Sequence, residues 1–483
     1  MNQVARTFSL VGLVVAIMLA MHLLPTIHIG GQELRHVSVL SDIMPDPYHE
    51  RFAMDVTPKP APPKPIRRKR AKDAPADTLD GNPAGMPATA DGNTEPTAAA
   101  KETDKGIVTI DDYSEGEAGG MDAFYHKLST IGSLGRPLRI AYYGDSFIEG
   151  DILTADLREM LQQRFGGCGV GWVDCGNEIN GFRRTVRQKF KGMTEYEVVK
   201  KPFSHACEGI NQRYFVPEDG AVVWTGGSSF RKHSRQWQRT TLFLRSEGGL
   251  SVTTYLNDDS AHTDHIDGST AVKALVREGE AHNVCYTFGS VTPQTYIYGM
   301  ALEGDGGIVL DNFSMRGSSG CTLARIPMQT LRHFASIRPY DLIILHYGLN
   351  VVSDRSHAAN YKAYTRQMRS AINHFREAFP DASVLVVGVP DRDQRTPAGI
   401  RTVSGIESLS AYQQIMASDC HVAYYNFFKA MGGRESMSRL VDRNMANKDY
   451  THLSYGGGKH VAAILFKSLM AGYDDYKTTV HND

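Results

Sequence analysis

The spacing of apolar and polar residues divides the folded part of the chain into two kinds of segment. Over 107–175 and 311–483, short continuous apolar runs alternate with stretches whose apolar residues recur at helical spacing. Such runs indicate buried strands, and the 3.6-residue spacing indicates amphipathic helices. The predicted strands are 138–143, 341–346, 383–389 and 422–427, and the predicted helices are 120–128, 152–165, 361–379, 403–418 and 459–470. Strands that alternate with helices favour a parallel sheet covered by helices, which is an α/β fold.

Residues 176–310 follow a different pattern. Short stretches rich in β-branched and aromatic residues, such as TTLFLR, LSVTTYL and NVCYTFG, are separated by Gly, Asp, Asn and Ser. Closely spaced strands with turn residues between them are typical of a β-sandwich. We therefore predict that one α/β domain, formed by 107–175 and 311–483, is interrupted by a β-sandwich inserted at 176–310.

The N-terminal segment 1–24 contains an apolar run without charge at 8–24, FSLVGLVVAIMLAMHLL. Its length is close to the roughly 20 residues that span a bilayer. No convincing A-x-A site follows it, which favours an uncleaved transmembrane anchor over a cleaved signal peptide. Arg6 lies on the short side of the run. The positive-inside rule then places the remainder of the chain outside the cytoplasm, at the periplasmic face of an inner membrane.

The next segments connect this anchor to the folded part. Residues 25–56 form a juxtamembrane segment, and residues 57–106 are rich in Pro, Ala, Thr, Asp and Lys without any aromatic residue. Such a composition cannot bury enough surface to offset its conformational entropy, so we predict a disordered linker. The basic run IRRKR at 66–70 is interpreted as a solvated cluster, with contact to an anionic polymer as the alternative.

Composition excludes several classes of function. The 52 basic and 53 acidic residues give a net charge of −1, so no overall field favours nucleic acid as a partner. The six cysteines contain no C-x-x-C pair, which argues against a zinc site, and their disulfide pairing stays open. The stretch 258–267, rich in Asp and His, is interpreted as a polar hairpin tip. We therefore predict no metal and no other cofactor.

Candidate catalytic residues follow the predicted strands, where sites gather in doubly wound sheets. Gly144-Asp145-Ser146 ends the first strand, Gly348-Leu349-Asn350 follows the strand 341–346, and Asp449 and His452 precede the last helix. A serine nucleophile needs a base within hydrogen-bond reach and a group that orients the base. An Asn at a neighbouring strand end can donate to a developing oxyanion. Together these residues indicate a serine hydrolase.

The same residues carry a family resemblance. GDS near the start, G-x-N in the middle and D-x-x-H near the C-terminus resemble the SGNH, or GDSL-type, hydrolases, and Arg316–Thr322 resembles their second conserved block. The resemblance implies a flavodoxin-like three-layer α/β/α fold. It implies Ser146 as nucleophile, His452 as base and Asp449 as the residue that orients His452. It also implies an oxyanion hole formed by the backbone N–H groups of Ser146 and Gly320 and the side chain of Asn350.

The long insertion limits the resemblance to one group within this family. The stretch 144–173, which opens with GDSFIEGD, is similar to bacterial peptidoglycan O-acetylesterases, which carry a carbohydrate-binding-module-like domain at the same place. Phe147 stands where those relatives often have His, so we expect it to affect substrate choice. Three tryptophans are candidates for stacking on sugar rings, and of these Trp237 is the one expected to be exposed and to contact substrate.

The sequence therefore predicts an anchored serine esterase. Its expected substrate is an O-acetylated polysaccharide of the cell envelope. The resemblance, and not the composition, implies that this polysaccharide is peptidoglycan. Two alternatives stay open. The same residues could transfer the acetyl group to a sugar hydroxyl instead of water, as an SGNH O-acetyltransferase does, or the chain could be a wall-binding protein without catalytic activity.

Overall fold

The computed structural model describes residues 106–480 except 115–119, 258, 260 and 354–355, together with residues 28–29, 32–33 and 63. The predicted anchor at 8–24 and almost all of the predicted linker at 57–106 lie outside the described residues. Within the described part of the chain, no helix combines the length and apolarity needed to cross a bilayer. The chain divides into two units, Met1–Val56 and Thr57–Asp483. The first contains an antiparallel pair of short strands, β1 (His28–Ile29) and β2 (Gln32–Glu33).

The second unit holds all the remaining described elements. Its strands are β3 (Asp111–Asp112), β4 (Leu138–Gly144), β5 (Gly171–Val173), β6 (Val186–Glu197), β7 (Arg213–Gly227), β8 (Trp237–Ser246), β9 (Leu250–Leu256), β10 (His262–Ile266), β11 (Ser269–Ala281), β12 (Asn283–Gly289), β13 (Thr295–Glu303), β14 (Ile308–Ser314), β15 (Leu342–His346), β16 (Ser383–Val387), β17 (Asp393–Thr396), β18 (Gly399–Thr402) and β19 (Ala423–Tyr425). Its α-helices are α1 (Met121–Ser129), α2 (Thr154–Phe165), α3 (Met328–Ile337), α4 (Ala358–Ala378), α5 (Ile406–Asp419), α6 (Phe427–Met431), α7 (Ser436–Asp442) and α8 (Tyr455–Val480).

The central sheet contains six strands in the order β14-β4-β15-β16-β19-β3. All neighbours are parallel except the short edge strand β3, which is antiparallel to β19. Every residue of β4, β15 and β16 is buried, as expected for parallel strands covered on both faces. The predicted α/β fold is thus confirmed. Gly144 at the end of β4 is level with Ser314 and His346, so three carboxyl ends meet at one edge of the sheet.

The last helix is longer than predicted and begins four residues earlier, at Tyr455. Its first turn packs closely on two loops, which the glycines there permit. A Cβ on Gly457 would lie 1.9 Å from the carbonyl oxygen of Met445, and one on Gly458 would lie 1.7 Å from that of Ile152. Glycine is therefore required at both positions, and this contact fixes the start of α8 beside the carboxyl edge of the sheet.

Residues 171–303 form a second, nine-stranded antiparallel sheet. The main order is β10-β9-β12-β7-β13-β8-β11, and β6 and β5 pair with β7 and β13. The long strand β7 joins the two halves, because Ala221–Gly226 pair with β12 while Phe215 pairs with β13. Apolar residues from both halves, including Val252 and Leu244, share one buried cluster. The strands form one continuous sheet whose two halves share a buried core, at the place where the sequence predicts a β-sandwich.

A buried charge network joins this sheet to the central one. Arg139 on β4 and Arg338 after α3 both bind the carboxylate of Glu303 on β13, at 2.7 and 3.0 Å. Arg338 also binds Asp311 on β14, with 2.7 Å between Nε and Oδ2. Burial raises the pKa of Glu303, but the two arginines lower it to about 2. The carboxylate is therefore ionised at neutral pH, with both of its oxygens paired.

Candidate active site

Ser146 lies on a tight turn between the end of β4 and the helix that follows. The turn is held by backbone hydrogen bonds from Ile148 to Asp145 and from Glu149 to Ser146, both of 3.3 Å. Gly144 permits this close turn, because a Cβ there would lie 2.9 Å from the side chain of Ile148. Ser146 is partly exposed, while the residues on either side of it are buried. The turn therefore presents one hydroxyl group to solvent at the edge of the sheet.

His452 and Asp449 lie within hydrogen-bond reach of that hydroxyl. The Ser146 Oγ is 3.0 Å from Nε2 of His452, and Nδ1 of His452 is 2.8 Å from Oδ2 of Asp449. The carboxylate also accepts the backbone N–H of His452 at 3.0 Å. Asp449 accepts only, so it selects the tautomer with the proton on Nδ1 and leaves Nε2 free to accept from Ser146. This is the arrangement needed to deprotonate a serine.

The orienting carboxylate remains ionised over a wide pH range. Partial burial raises the pKa of Asp449, but hydrogen bonds from the backbone and ring of His452 and from Thr451 lower it below its usual value. The loop that carries it is closed by the backbone N–H of Asn447, which donates to the carbonyl oxygen of His452 at 2.8 Å. Side-chain exposures of 49% for Asp449 and 41% for His452 place both at the surface, where a polymer can reach them.

The predicted oxyanion donors lie beside Ser146. The backbone N–H of Ser146 donates to no acceptor among the residues that the structure describes. The N–H of Gly320 donates to Oγ of Ser318 at 3.1 Å, and Nδ2 of Asn350 donates to the Ser318 carbonyl oxygen at 3.0 Å and to Asp145 Oδ2 at 3.2 Å. Two of the three donors are therefore engaged with neighbours in this conformation. They must exchange these bonds before they can stabilise an oxyanion.

Gly320 occupies a position that no other residue fits. Its φ is +83°, in the left-handed region, and a Cβ would lie 2.7 Å from the ring of Tyr347. The loop that carries it is tied to the serine turn, because Nε of Arg316 donates to Glu149 at 2.9 Å. The second predicted motif block is thus fixed next to Ser146 by an ion pair that the sequence did not reveal.

Asp145 is a functional residue that the sequence reasoning did not single out. Its carboxylate accepts the backbone N–H of Phe147 at 2.9 Å as well as the amide of Asn350. Burial raises its pKa to about 6, against the lowering effect of these hydrogen bonds and of His452. The available signal was its place inside the GDS motif. It is the group that orients Asn350.

Two predicted substrate contacts are wrong. Phe147 is only 2% exposed, because its ring points away from the surface and packs edge-on against His346 and Phe427. Trp237 is completely buried in the core of the nine-stranded sheet, with its Nε1 donating to Thr240 at 2.6 Å. The charged residues next to Trp237 in the sequence suggested an exposed position. In the structure Trp237 is the first residue of β8 and its side chain faces the core.

No cluster of three or more His, Cys, Asp or Glu side chains suited to a metal ion occurs in the described part of the chain. His262–Ile266 forms β10, which pairs with β9 in a hairpin, in agreement with the interpretation of that stretch. Cys168, Cys175, Cys207, Cys321 and Cys420 form no disulfide within the described part of the chain.

Comparisons with known proteins identify the fold. Neither a protein-family model nor a curated protein sequence matches the chain. A solved structure of a peptidoglycan O-acetylesterase matches with a TM-score of 0.61 and 21% identity, over 74% of this chain and 99% of that chain. The predicted resemblance to these enzymes is thus confirmed at the level of the fold.

Two other solved structures are more distant. A family two carbohydrate esterase from Clostridium thermocellum has a TM-score of 0.25 and 10% identity, over 53% of this chain and 94% of that chain. A salicylyl-acyltransferase from a tetracycline biosynthetic pathway has a TM-score of 0.26 and 12% identity, over 60% of this chain and 98% of that chain. At these TM-scores the two structures share too little architecture to support a functional conclusion.

Proposed function

We propose that the protein is a serine esterase that removes O-acetyl groups from a polysaccharide. The observation that carries this proposal is the chain of hydrogen bonds from Ser146 through His452 to Asp449, with distances of 3.0 and 2.8 Å. A serine hydroxyl in this setting is activated by the neighbouring imidazole, whose charge after proton transfer is stabilised by the carboxylate. The chemistry that follows is acyl transfer, first to the serine and then to water.

The proposed reaction has two halves. In the first, Ser146 Oγ attacks the acetyl carbonyl carbon while Nε2 of His452 accepts the serine proton. The tetrahedral intermediate then expels the sugar oxygen, which takes that proton from His452, and the acetyl group remains on Ser146. In the second half His452 deprotonates a water molecule, which attacks the acetyl-serine. His452 then returns the proton to Ser146 Oγ as the C–O bond breaks and acetate leaves. Nδ1 stays bound to Asp449 throughout, so the imidazole keeps its orientation.

The negative oxygen of each tetrahedral intermediate needs donors. We assign this role to the backbone N–H groups of Ser146 and Gly320 and to Nδ2 of Asn350. Asn350 and Gly320 would turn from Ser318 toward the oxyanion as it forms. Donors that gain their partner only in the transition state increase the rate of the chemical step rather than the binding of substrate.

We propose peptidoglycan as the polymer. Support comes from the shared fold, which extends over 99% of a peptidoglycan O-acetylesterase. The half-exposed His452 and Asp449 suit a substrate that approaches as an extended strand, because a deep pocket would exclude it. The nine-stranded sheet next to the site would hold the strand and keep a weakly bound ester near Ser146.

We further propose that the apolar run 8–24 anchors the protein in the inner membrane and that the catalytic unit works in the periplasm. The Pro- and Ala-rich residues 57–106 would then act as a tether that gives the catalytic unit reach toward the wall. Proteolysis of intact spheroplasts tests this location. A protease added outside should remove the folded part, and protection of that part would contradict the proposal.

Acetate release tests the enzymatic proposal. The full chain is incubated with O-acetylated peptidoglycan and with an acetylated aryl ester, and Ser146→Ala and His452→Ala are measured in parallel. We expect both substitutions to reduce acetate release by roughly a thousandfold or more, since each removes a partner of one proton transfer. Acetate release that persists in Ser146→Ala would contradict the proposal. Appearance of the acetyl group on an added glycan instead of in water would identify a transferase.

A further inference from the structure

An exposed group of aromatic and basic side chains begins next to the start of α8, the helix that follows His452. The hydroxyl of Tyr455, three residues after His452, donates to the carbonyl oxygen of Phe182 at 2.7 Å and to that of Gly150 at 3.3 Å. Phe182 is 75% exposed, the largest exposure reported for an apolar side chain in the described residues. Gly150 lies four residues after Ser146, so Tyr455 links Phe182 to the segment that carries the candidate nucleophile.

Arg184 continues this surface. Its guanidinium carbon lies 4.2 Å from the ring centre of Phe230 and 5.1 Å from that of Tyr455. The two rings hold the guanidinium in place through cation–π contact, while its N–H groups have no carboxylate partner among the described residues. Arg183, the preceding residue, is by contrast buried and paired with Asp151. Arg184 is thus an oriented cation with free donors.

Two more cations follow on β6, which pairs only with β7 in the described part of the sheet. Arg187 and Lys189 are exposed, and their positions two residues apart put them on one face of the strand. Neither forms an ion pair with a described residue. Further along the strand, the carboxylate of Glu218 lies 3.4 Å from where a Cβ on Gly192 would be.

Trp224 on β7 completes the surface. It is the Cα partner of Lys189, and directly opposite residues of an antiparallel pair share a face. Its ring covers Gly226, the Cα partner of Arg187, because a Cβ on that glycine would lie 2.6 Å from the ring. The half-buried ring therefore lies flat against the sheet beside both cations. We call Phe182, Arg184, Arg187, Lys189 and Trp224 the cationic strip.

We propose that the cationic strip binds a glycan that carries carboxylate groups and that it leads this glycan to Ser146. The proposal rests on the esterase function and specifies the substrate class for the same site. Exposed aromatic rings offer an apolar face to a pyranose, and guanidinium and ammonium groups bind carboxylates. The whole chain has a net charge of −1, so this local excess of cations does not follow from a generally basic protein. Neutral acetylated polymers would gain nothing from these cations.

Polymer binding without turnover tests the proposal. The full chain with Ser146→Ala is sedimented with O-acetylated peptidoglycan, and with the same material after its carboxylates are converted to amides. We expect roughly tenfold tighter binding to the native polymer, and expect added salt to reduce this difference. The strip variant Arg184→Gln/Lys189→Gln should bind the native polymer as weakly as its parent binds the amidated one.

Matched variants distinguish an effect of the cationic strip from a general effect of removing positive charge. Lys362→Gln/Arg366→Gln removes one lysine and one arginine from the exposed face of α4 and should behave like the parent. Lys189→Gln alone removes a solvated side chain that supports no described contact, and should give an intermediate loss even if the double variant folds poorly. Phe182→Ser should weaken binding to native and amidated polymer alike, because stacking does not depend on carboxylates.

Two results would overturn the proposal. One is a strip variant that keeps the preference for the native polymer. The other is a short DNA duplex that binds as tightly as the polymer and loses as much affinity in the strip variant, because the strip would then attract any polyanion. Binding is measured without ester cleavage, so a failure of acetate release would remove the proposed function and leave the result for the strip intact.

Discussion

At the scale of single residues, two of the proposed oxyanion donors are hydrogen-bonded to neighbouring residues in this conformation. Asp145 and Ser318 hold the amide of Asn350, and Ser318 also holds the N–H of Gly320. The sequence motifs predicted the triad and the oxyanion residues by position. They could not predict which partners the donors have before substrate binds, because Asp145 and Ser318 meet Asn350 only in the folded chain.

Replacing Asp145 by Asn should remove one of the two acceptors that hold the side-chain amide of Asn350. The new amide can still accept the N–H of Phe147 through its oxygen, but it then presents an NH₂ group to the NH₂ group of Asn350. We expect kcat to fall by roughly tenfold to a hundredfold with little change in KM, because the lost donor acts in the transition state. Kinetics on the aryl ester give both constants.

The double variant Asp145→Asn/Asn350→Ala provides the control. If Asp145 acts through Asn350, the double variant should be no slower than Asn350→Ala alone. Multiplicative losses would show instead that Asp145 acts independently. The raised pKa of about 6 adds a second check, because protonated Asp145 no longer presents a full carboxylate to Asn350. The low-pH loss of activity should therefore be smaller in Asn350→Ala, where only protonation of the base still contributes.

At the scale of elements, a buried acid pair secures the loop that carries Asp449 and His452. Asp391 accepts the backbone N–H of Met437 at 3.0 Å and Asp393 that of Ser438 at 2.6 Å, so both cap the start of α7. The backbone N–H of Asp393 also donates to Tyr450 at 3.1 Å, inside the catalytic loop. Burial and the neighbouring Asp391 raise the pKa of Asp393 to about 7.

This pair makes stability depend on pH. The folded protein keeps a proton on Asp393 up to about pH 7, whereas the unfolded chain releases it near the ordinary value of 3.8. The folded state therefore binds more protons between these values, and stability falls as the pH rises through them. We expect Asp393→Asn to remove this part of the decline. Thermal unfolding from pH 4 to 8 measures it, and an unchanged slope in the variant would contradict the assignment.

The bounds of the strands and of α8 show how far the spacing of apolar residues predicts secondary structure. The central-sheet strands β4, β15, β16 and β19 lie within a few residues of their predicted positions, since continuous apolar runs mark strands that are buried on both faces. The edge strands β14 and β3 were not predicted. The predicted start of α8 was four residues too late, because glycine disfavours helix, yet tertiary contacts with the carbonyl groups of Met445 and Ile152 require glycine at 457 and 458. The prediction that Trp237 is exposed was wrong for a related reason, because the exposure of a strand residue depends on which face of the strand meets the core.

At the scale of the whole molecule, the two sheets are joined by the Glu303–Arg139–Arg338–Asp311 network. Arg338 is only 1% exposed and contacts both carboxylates, so its removal leaves buried negative charge without its main partner. We expect Arg338→Met to lower the free energy of unfolding by about 3–5 kcal/mol. Urea unfolding measures this value.

A surface ion pair supplies the matched control. Arg332 and Glu377 are 62% and 59% exposed, and Arg332→Met should cost less than about 1 kcal/mol because solvent screens the pair. Equal losses in the two variants would contradict the structural role of the buried network. The stability that Glu303 contributes should persist above about pH 4.5 and disappear as the pH falls toward 2, following its lowered pKa.

The central claim is that Ser146 carries the acetyl group between the polymer and water. Rapid acid quenching of the full chain during turnover of an acetylated aryl ester, followed by peptide mass mapping, tests it most directly. We predict one added acetyl group, located on Ser146 and absent from Ser146→Ala. An acetyl group on another residue, or acetate release in the steady state without any acetylated Ser146 at the earliest times, would contradict this mechanism.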